Sequence, residues 1–159
     1  MDTTQASALR ELLLHGQVAS LGTLHNGEPA VSMVPYALLP GTGIFVVHVS
    51  RLATHTKDME RHAGVSLMVL AEQNESALAQ ARPRASISGS ASRCTENDDG
   101  YQAAREKFLD KHPSSEPMFG FGDFSIFLIR PRALRFVGGF GQAWSATEVQ
   151  FQQAMARTA

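Results

Sequence analysis

A β-hairpin signal close to the N-terminus constrains the fold more than any other feature of this sequence. Two segments rich in apolar and β-branched residues, 18–24 and 30–39, flank His25-Asn26-Gly27-Glu28. Asn-Gly is the dipeptide most typical of a tight turn between antiparallel strands. A second turn at Pro40-Gly41-Thr42-Gly43 leads into a third β-rich segment, 44–49. The sequence therefore predicts three antiparallel strands in succession.

The remainder of the chain predicts further short strands. Their apolar patterns place these strands at residues 65–70, 84–93, 124–129 and 134–137. We expect Arg130-Pro131 to separate the last two, because proline lacks the N–H that a central strand needs.

The helices predicted between these strands are few and short. The first should be capped by Thr3 or Thr4 and should end at Gly16. The others are predicted from about Leu52 to His62, from a cap at Asn97 or Asp98 to about His112, and from Thr147 to Met155. Residues 72–83 are polar and rich in alanine, which favours a loop with room for one helical turn.

Six or seven short strands with hairpin turns indicate a mainly β fold, an antiparallel barrel with flanking helices. Pro35 lies inside the second predicted strand, so we expect an edge, a bulge or an opening of the sheet there. The chain has no internal repeat and no break in composition, and we predict a single domain over residues 1–159.

Composition excludes several classes of function. The 14 Lys and Arg balance 15 Asp and Glu to a net charge of −1, which argues against general binding of nucleic acid or of an anionic membrane. Cys94 is the only cysteine, so no intrachain disulfide can form. The N-terminus lacks the features of a secretion signal, and no apolar run approaches the ~20 residues of a membrane span. We predict a cytoplasmic protein.

The most distinctive segment is His48-Val49-Ser50-Arg51-Leu52-Ala53-Thr54-His55-Thr56-Lys57. It runs from the end of a strand into the start of a helix, where unpaired N–H groups and a partial positive charge favour anions. Ser50 and Thr56 add hydroxyl groups, and Arg51 and Lys57 add cations. If the helix begins early enough, Arg51 and His55 share one face. These features are typical of a phosphate site, and equally of a solvated helix whose charges face water.

A glycine-rich segment, Gly138-Gly139-Phe140-Gly141-Gln142-Ala143-Trp144, is the second candidate. Glycine allows close backbone approach to a ligand, and an aromatic side chain can cover a planar ring. On chemistry alone, a β-bulge or barrel corner with Trp144 in the core or at a subunit contact is the more natural interpretation. Gly120-Phe121-Gly122-Asp123 is predicted to be a simple turn before a strand.

Metal binding is not predicted. His48, His55 and His62 recur every seven residues, but that step rises ~10.5 Å along a helix, too far for two imidazoles to share an ion. Cys94 ends a predicted strand with no base near it in sequence, which favours a packed thiol over a nucleophile.

Three segments resemble the FMN-binding split barrels related to pyridoxamine 5′-phosphate oxidase: Val31-Ser32-Met33-Val34-Pro35-Tyr36, the run from Ser50 to Asp58, and Val65-Ser66-Leu67. Gly122-Asp123-Phe124 and Gly138-Gly139-Phe140-Gly141 are similar to the subgroup that includes haem-utilisation proteins. The resemblance extends from the first strand through Trp144. It implies a six-stranded antiparallel Greek-key split barrel that forms a homodimer with FMN in clefts between the subunits.

The same resemblance implies the cofactor contacts. Ser32, Met33, Val34 and Pro35 would run beside the isoalloxazine ring, and Val47 and His48 would line the same floor. The phosphate would be held by Ser50, Arg51, His55, Thr56 and Lys57. Residues from Phe140 to Trp144 would come from the partner chain or support the interface.

Three hypotheses for function follow. The first is a flavin-dependent oxidoreductase acting on an unidentified small molecule, for which we name no catalytic residue. The second is a non-catalytic protein that binds flavin or haem for utilisation, storage or sensing. The third is a barrel that has lost its cofactor and serves as an interaction protein. The basic C-terminal motif of the phosphate oxidases is not recognisable, and the haem-degrading relatives carry an additional C-terminal domain.

Overall fold

A computed structural model describes residues 1–72, 78–139 and 142–156. Within them the strands are β1 (Val18–His25), β2 (Glu28–Pro35), β3 (Ala37–Leu38), β4 (Phe45–Ser50), β5 (Gly64–Leu70), β6 (Arg84–Cys94), β7 (Phe124–Gly139) and β8 (Gln142–Thr147). The helices are α1 (Thr3–His15), α2 (Thr54–Arg61), α3 (Tyr101–Lys111) and α4 (Glu148–Ala156). Two 3₁₀ segments, Ala79–Ala81 and Pro113–Gly120, complete the described elements.

All strands pair antiparallel in one sheet with the order β2-β1-β5-β6-β7-β4-β3, and β8 pairs with β7. The two ends of this order, β2 and β3, are neighbours along the chain and are separated by Tyr36 alone. The sheet must therefore curl round on itself, which confirms the mainly β barrel with flanking helices. The described residues form eight strands rather than the six or seven predicted, because the short β3 and β8 add to the count.

Tyr36 fixes the place where the two sheet ends meet. Its hydroxyl donates to the Leu13 carbonyl at 2.7 Å, and its own carbonyl lies 2.8 Å from Nε2 of His112. Lys111 Nζ lies 4.2 Å from the centroid of the Tyr36 ring and donates to the Gly16 carbonyl. Helices α1 and α3 are thereby tied to the same corner, and burial lowers the pKa of Lys111 to about 8.

The second strand is the open edge that Pro35 predicted. Among the described strands β2 pairs with β1 only, and it ends at Pro35, a strand end where the missing N–H of proline is tolerated. The predicted single strand over 30–39 is divided at Tyr36 into β2 and β3, because the chain must turn there from one sheet end to the other.

The predicted break at Arg130-Pro131 is wrong, because β7 is one continuous strand. The partners that β7 finds in β4 end at Ile129, and those in β8 begin at Ala133. Pro131 lies in the gap between them, and a bulge opposite Ser88 and Gly89 absorbs the irregularity. Proline is tolerated here because, on the side of β7 away from β6, neither β4 nor β8 extends across it.

All four described helices start differently from the sequence predictions, α4 by one residue, at Glu148 instead of Thr147. Asp2, not Thr3 or Thr4, caps α1, because its carboxylate accepts from the Gln5 amide at 2.8 Å while the Gln5 side chain accepts from the Asp2 amide. α3 begins at Tyr101, because Asp98 instead closes a turn with Thr95. α2 begins at Thr54 rather than Leu52.

Two apolar clusters hold the barrel together. The larger fills its interior, with Leu21, Leu67, Ile87 and Ile129 among its fully or almost fully buried members. The smaller lies under α3 and joins Phe108 to the outer faces of β4 and β7. β4 is consequently buried on both faces, so its alternate residues belong to different environments. None of the described helices is both long and apolar enough to span a membrane.

Candidate functional site

The junction between β4 and α2 is built around Ser50. Its hydroxyl donates to the Asp123 carboxylate and accepts from the Leu52 amide at 3.1 Å. Its carbonyl accepts from the buried Thr56 hydroxyl at 2.6 Å. The Ser50 and Thr56 hydroxyls, which the sequence analysis suggested as donors to an anion, therefore donate to partners within the protein.

Asp123 is a residue of this junction that the sequence analysis missed. Its carbonyl accepts from the Arg51 amide at 2.7 Å, and the Arg51 guanidinium donates to the neighbouring Gly122 carbonyl at 3.2 Å. The residue pattern predicted a turn at residues 120–123, and the family resemblance included Gly122-Asp123-Phe124 without giving Asp123 a role. The useful signal was that this turn precedes β7, the strand that pairs with β4 and so brings the turn to Ser50.

The cations of the junction are more accessible than its hydroxyls. Arg51 and Lys57 are both exposed. Arg51 precedes the first turn of α2, so it does not share a helix face with His55. Burial lowers the pKa of the half-buried His55, with Asp58 offsetting part of the effect, so this imidazole adds little positive charge near neutral pH. The junction presents two exposed cations beside one half-buried carboxylate.

Asp58 connects α2 to the first hairpin. Its carboxylate is 1% exposed, accepts from the Thr23 hydroxyl at 3.0 Å and lies 2.9 Å from Nδ1 of His25. The hydrogen bond with His25 is the largest cause of the lowered pKa of Asp58. Since Thr23 and His25 both belong to β1, this contact holds α2 against that strand, the neighbour of the edge strand β2.

The predicted ring-binding residues of β2 alternate between two faces. Met33 is 61% exposed and Pro35 is exposed, whereas Val34 is buried in the barrel. Ser32 shares the inner face with Val34, and its Oγ is buried with no hydrogen-bond partner among the described residues. An orphaned hydroxyl at an open edge fits a strand that meets a polar ligand group.

Val47 and His48 do not reach one surface within the subunit. Val47 is fully buried in the barrel interior. His48 faces the other side of β4, where its ring stacks on Phe119 with centroids 3.7 Å apart. Adjacent residues on a strand point to opposite faces, so the side chains of Val47 and His48 cannot line the same binding surface.

The glycine-rich candidate is only partly described. Phe140 and Gly141 lie outside the described residues. Trp144 is half-buried on β8, and its ring packs on Phe136 with centroids 5.0 Å apart. In this chain Trp144 therefore supports the barrel, and a contact with a partner subunit stays a prediction.

One outer face of the sheet exposes several apolar side chains, which we call the outer patch: Val18, Val31, Met33, Met68 and Leu70. Strand register places them on one side, because Met33 pairs with Ser20 and Ser20 pairs with Met68. Val31 is 79% exposed. Several exposed apolar side chains grouped on one sheet face are typical of an interaction site.

Comparison with known proteins identifies the family of this chain and several similar proteins. It matches the family model described as "CREG, beta-barrel" over residues 2–153. It is 31% identical over 129 residues to Non-canonical heme oxygenase HOZ, chloroplastic, of Arabidopsis thaliana, a match that covers 81% of this chain and 38% of that protein. It is 26% identical over 123 residues to heme oxygenase HutZ of Vibrio cholerae, covering 77% of this chain and 69% of that protein.

A solved structure, the heme binding protein from Mycobacterium smegmatis, superposes with a TM-score of 0.85 at 29% identity. The match covers 96% of this chain and 60% of that one, so this chain spans less than two thirds of both the plant and the mycobacterial protein. The resemblance to split barrels and to their haem-utilisation subgroup is confirmed. The chain belongs to the CREG β-barrel family, within the split-barrel superfamily related to pyridoxamine 5′-phosphate oxidase.

Proposed function

We propose that this chain binds haem at the open edge of its barrel, as part of a homodimeric haem-utilisation protein. The observation that carries the proposal is the state of the β4–α2 junction, where Arg51 and Lys57 are exposed while the Ser50 and Thr56 hydroxyls are already hydrogen-bonded. Two relatives named as heme oxygenases and one named as a heme binding protein support it.

The electrostatics of the junction favour a carboxylate ligand over a phosphate. A phosphate monoester carries close to two negative charges and is best held by several N–H and O–H donors. Asp123 adds a negative charge at Ser50, and the Ser50 and Thr56 hydroxyls already donate their protons within the protein. The propionates of haem carry one charge each, and each could pair with one exposed cation.

The remaining contacts with haem would be apolar. Met33 and Pro35 expose apolar surface along β2, and the porphyrin ring is broad and flat. When bound, the iron would supply ligand-binding and redox chemistry, while the residues of this chain would bind and orient the ring.

Flavin binding is the second candidate, either in an FMN-dependent oxidoreductase or in a non-catalytic flavoprotein. The specific observation in its favour is the orphaned Ser32 hydroxyl on β2, which suits a hydrogen bond to the polar edge of an isoalloxazine ring. Arg51 and Lys57 would then pair with the FMN phosphate.

Titrations with haemin, FMN and haemin dimethyl ester decide between haem binding and flavin binding. We expect apo-protein titrated with haemin to give a saturable Soret band at one haem per chain, tighter than its binding of FMN. The double variant Arg51→Ala/Lys57→Ala should weaken haemin binding roughly tenfold, because exposed charge-assisted contacts contribute about 1.5 kcal/mol together. Binding of haemin dimethyl ester, which lacks the propionate charges, should be unchanged.

Lys107→Ala/Arg135→Ala removes the same net charge from α3, where Lys107 pairs with Asp110, and from the part of β7 that pairs with β8, and it serves as the control. Two results together would reverse the assignment in favour of flavin. The parent protein would have a higher affinity for FMN than for haemin, and Arg51→Ala/Lys57→Ala would lower the affinity for FMN more than that for riboflavin. Equal losses for haemin and its ester would remove the junction from the site.

The homodimer is proposed from the outer patch. A second copy of the chain laid against this face would cover Val31, Met33 and Met68, and small residues such as Gly22 and Ser66 between them permit close approach of two sheets. The dimer would also place β2 of one subunit next to its partner, so the open edge would become a cleft.

A further inference from the structure

Lys111, the last residue of α3, has surroundings that the other lysines of the chain do not share. The sequence contains three lysines, at positions 57, 107 and 111. Lys57 is exposed, and Lys107 has a side chain that is 41% exposed and pairs at the surface with Asp110 at 2.9 Å. Lys111 is half-buried, and its side chain reaches into the body of the protein. The three lysines therefore differ in how much water their amines meet.

The Lys111 amine is held at the corner where the two sheet ends meet. Nζ donates to the Gly16 carbonyl and lies 4.2 Å from the centroid of the Tyr36 ring. Among the described residues, no carboxylate lies within ion-pairing distance of this nitrogen. The other titratable groups at the corner are Tyr36, whose hydroxyl donates to the Leu13 carbonyl, and His112, whose ring lies against the Tyr36 carbonyl. One carbonyl and one aromatic face thus replace part of the water that an ammonium group would bind.

This environment favours the neutral amine over the ammonium ion. Moving a charge out of water costs free energy, and a carbonyl with an aromatic face offsets only part of the cost. Burial accordingly lowers the pKa of Lys111 to about 8, whereas the hydrogen bond to Asp110 raises the pKa of Lys107. A neutral amine can still donate an N–H to Gly16, and its lone pair is then free to form a bond. A desolvated lysine of this kind is an activated nucleophile.

We propose that Lys111 is a site of acylation by small thioesters. The lone pair of Nζ attacks the thioester carbonyl carbon, a C–N bond forms, the C–S bond breaks, and the departing thiolate takes the proton that the nitrogen loses. The product is a neutral amide with one remaining N–H. Because that N–H can donate to the Gly16 carbonyl, acylation keeps the hydrogen bond and removes the charge that burial disfavours. The reaction does not involve the proposed haem site.

Acetylation of the three lysines in one sample tests the proposal. The folded protein is treated with a substoichiometric amount of S-acetyl-N-acetylcysteamine, and peptide mass spectrometry measures acetylation at each lysine. At about pH 7.5 we expect Lys111 to react roughly tenfold faster than Lys107, because its larger neutral fraction outweighs the lower nucleophilicity of a less basic amine. In protein unfolded by guanidinium chloride the two rates should become equal. Equal rates in the folded protein, or a difference that persists after unfolding, would overturn the proposal.

The pH dependence of these rates is a second test. The Lys111 rate should level off above about pH 8, where its amine in the folded protein is mostly neutral. The Lys107 rate should continue to rise with pH, because the raised pKa keeps its amine protonated. A Lys111 rate that rises in parallel with the Lys107 rate through this range would contradict the proposal.

Lys111→Arg and Lys107→Arg are matched variants, because arginine keeps the positive charge and stays protonated, so it is not acylated. Lys111→Arg should remove most of the acetyl groups found on lysine at low reagent concentration, and Lys107→Arg should remove few. Undiminished lysine acetylation in folded Lys111→Arg would exclude Lys111 as the preferred site. Since the rates in the parent protein need no substitution, they decide the matter even if Lys111→Arg does not fold.

Discussion

At the scale of single residues, Asp58 shows how one buried carboxylate positions an element that carries the site. It accepts the Thr23 hydroxyl and pairs with His25, so α2 is held against the first hairpin by charge-assisted contacts rather than by apolar packing alone. Helix α2 has few buried residues of its own, and Thr56 and Met59 are the others. Its placement therefore depends on Asp58.

The pH dependence of stability follows from the direction of this pKa shift. The folded pKa of Asp58 lies below the ordinary value of 3.8, chiefly because of the hydrogen bond with His25. The ionised group therefore stabilises the fold above pH 3.8, and this contribution is lost as the pH falls through the lower folded value. Urea unfolding measured across this range should show a weaker acid dependence in Asp58→Asn, and a lower free energy of unfolding at pH 7.

The exposed ion pair of Glu11 and His15 on α1 supplies the control. Glu11→Gln removes a carboxylate that water already screens, so its unfolding curves should overlay those of the parent. An Asp58→Asn protein with the parent's acid dependence would show that other carboxylates determine the acid response.

At the scale of elements, local chemistry determined what the sequence could predict. The β1–β2 hairpin is where Asn-Gly placed it, with Asn26 at φ 52° and Gly27 at φ 83°. The continuity of β7 was not predictable, because whether Pro131 breaks a strand depends on where β4 ends and β8 begins, and both partners are remote in sequence. Likewise, the cap of α1 was missed by one residue, since Asp2, Thr3 and Thr4 are all good capping residues.

The hairpin turn gives a test at this scale. At φ 83° an L-residue is strained, while a Cβ at Gly27 would meet no atom within 4 Å, so Gly27→Ala isolates the backbone cost. We expect a loss of about 1–2 kcal/mol in the free energy of unfolding. Gly100→Ala is matched, because that site is equally open but has φ −83°, and its unfolding free energy should stay within 0.5 kcal/mol, roughly the usual range for surface changes.

Substitution of Gly43 adds a steric clash to the backbone strain that Gly27→Ala tests alone. Gly43 also has a positive φ, of 72°, but a Cβ there would collide with the Phe151 ring on α4. Gly43→Ala should therefore destabilise the protein more than Gly27→Ala in the same urea titration. The reverse order would mean that α4 moves aside at little cost.

At the scale of the whole molecule, burial on both faces of β4 explains why the candidate site was only partly predictable. The motif from Ser50 to Lys57 correctly indicated a strand-to-helix junction, yet its hydroxyls are bound to partners that are near in space and far in sequence, such as Asp123. Val47 and His48 are adjacent in the chain but belong to two different clusters of side chains. Sequence motifs locate such a junction, whereas the sheet pairing determines which of its atoms remain available.

The exposed outer patch predicts how the chain assembles. Met33→Glu places a charge at the centre of this face, and we expect it to convert a dimer into monomers in analytical ultracentrifugation, because an unpaired charge is costly to bury. Val149→Glu introduces the same charge at another exposed apolar residue, on α4, and should leave the sedimentation coefficient of the parent unchanged. A monomeric parent protein, or a dimeric Met33→Glu protein, would assign the patch to some other partner.

The way β7 divides its length between two neighbours has a consequence for how this fold can diversify. The half that pairs with β4 supports the junction at Ser50, and the half beyond Pro131 carries β8 and α4. Because neither β4 nor β8 crosses Pro131, we expect exposed positions of β8 and α4 to vary without altering the register that sets Asp123 against Ser50, whereas Phe151 and Met155 belong to the barrel core. Variation at this end of the barrel should therefore be confined to its surface, while the geometry at Ser50 stays constant.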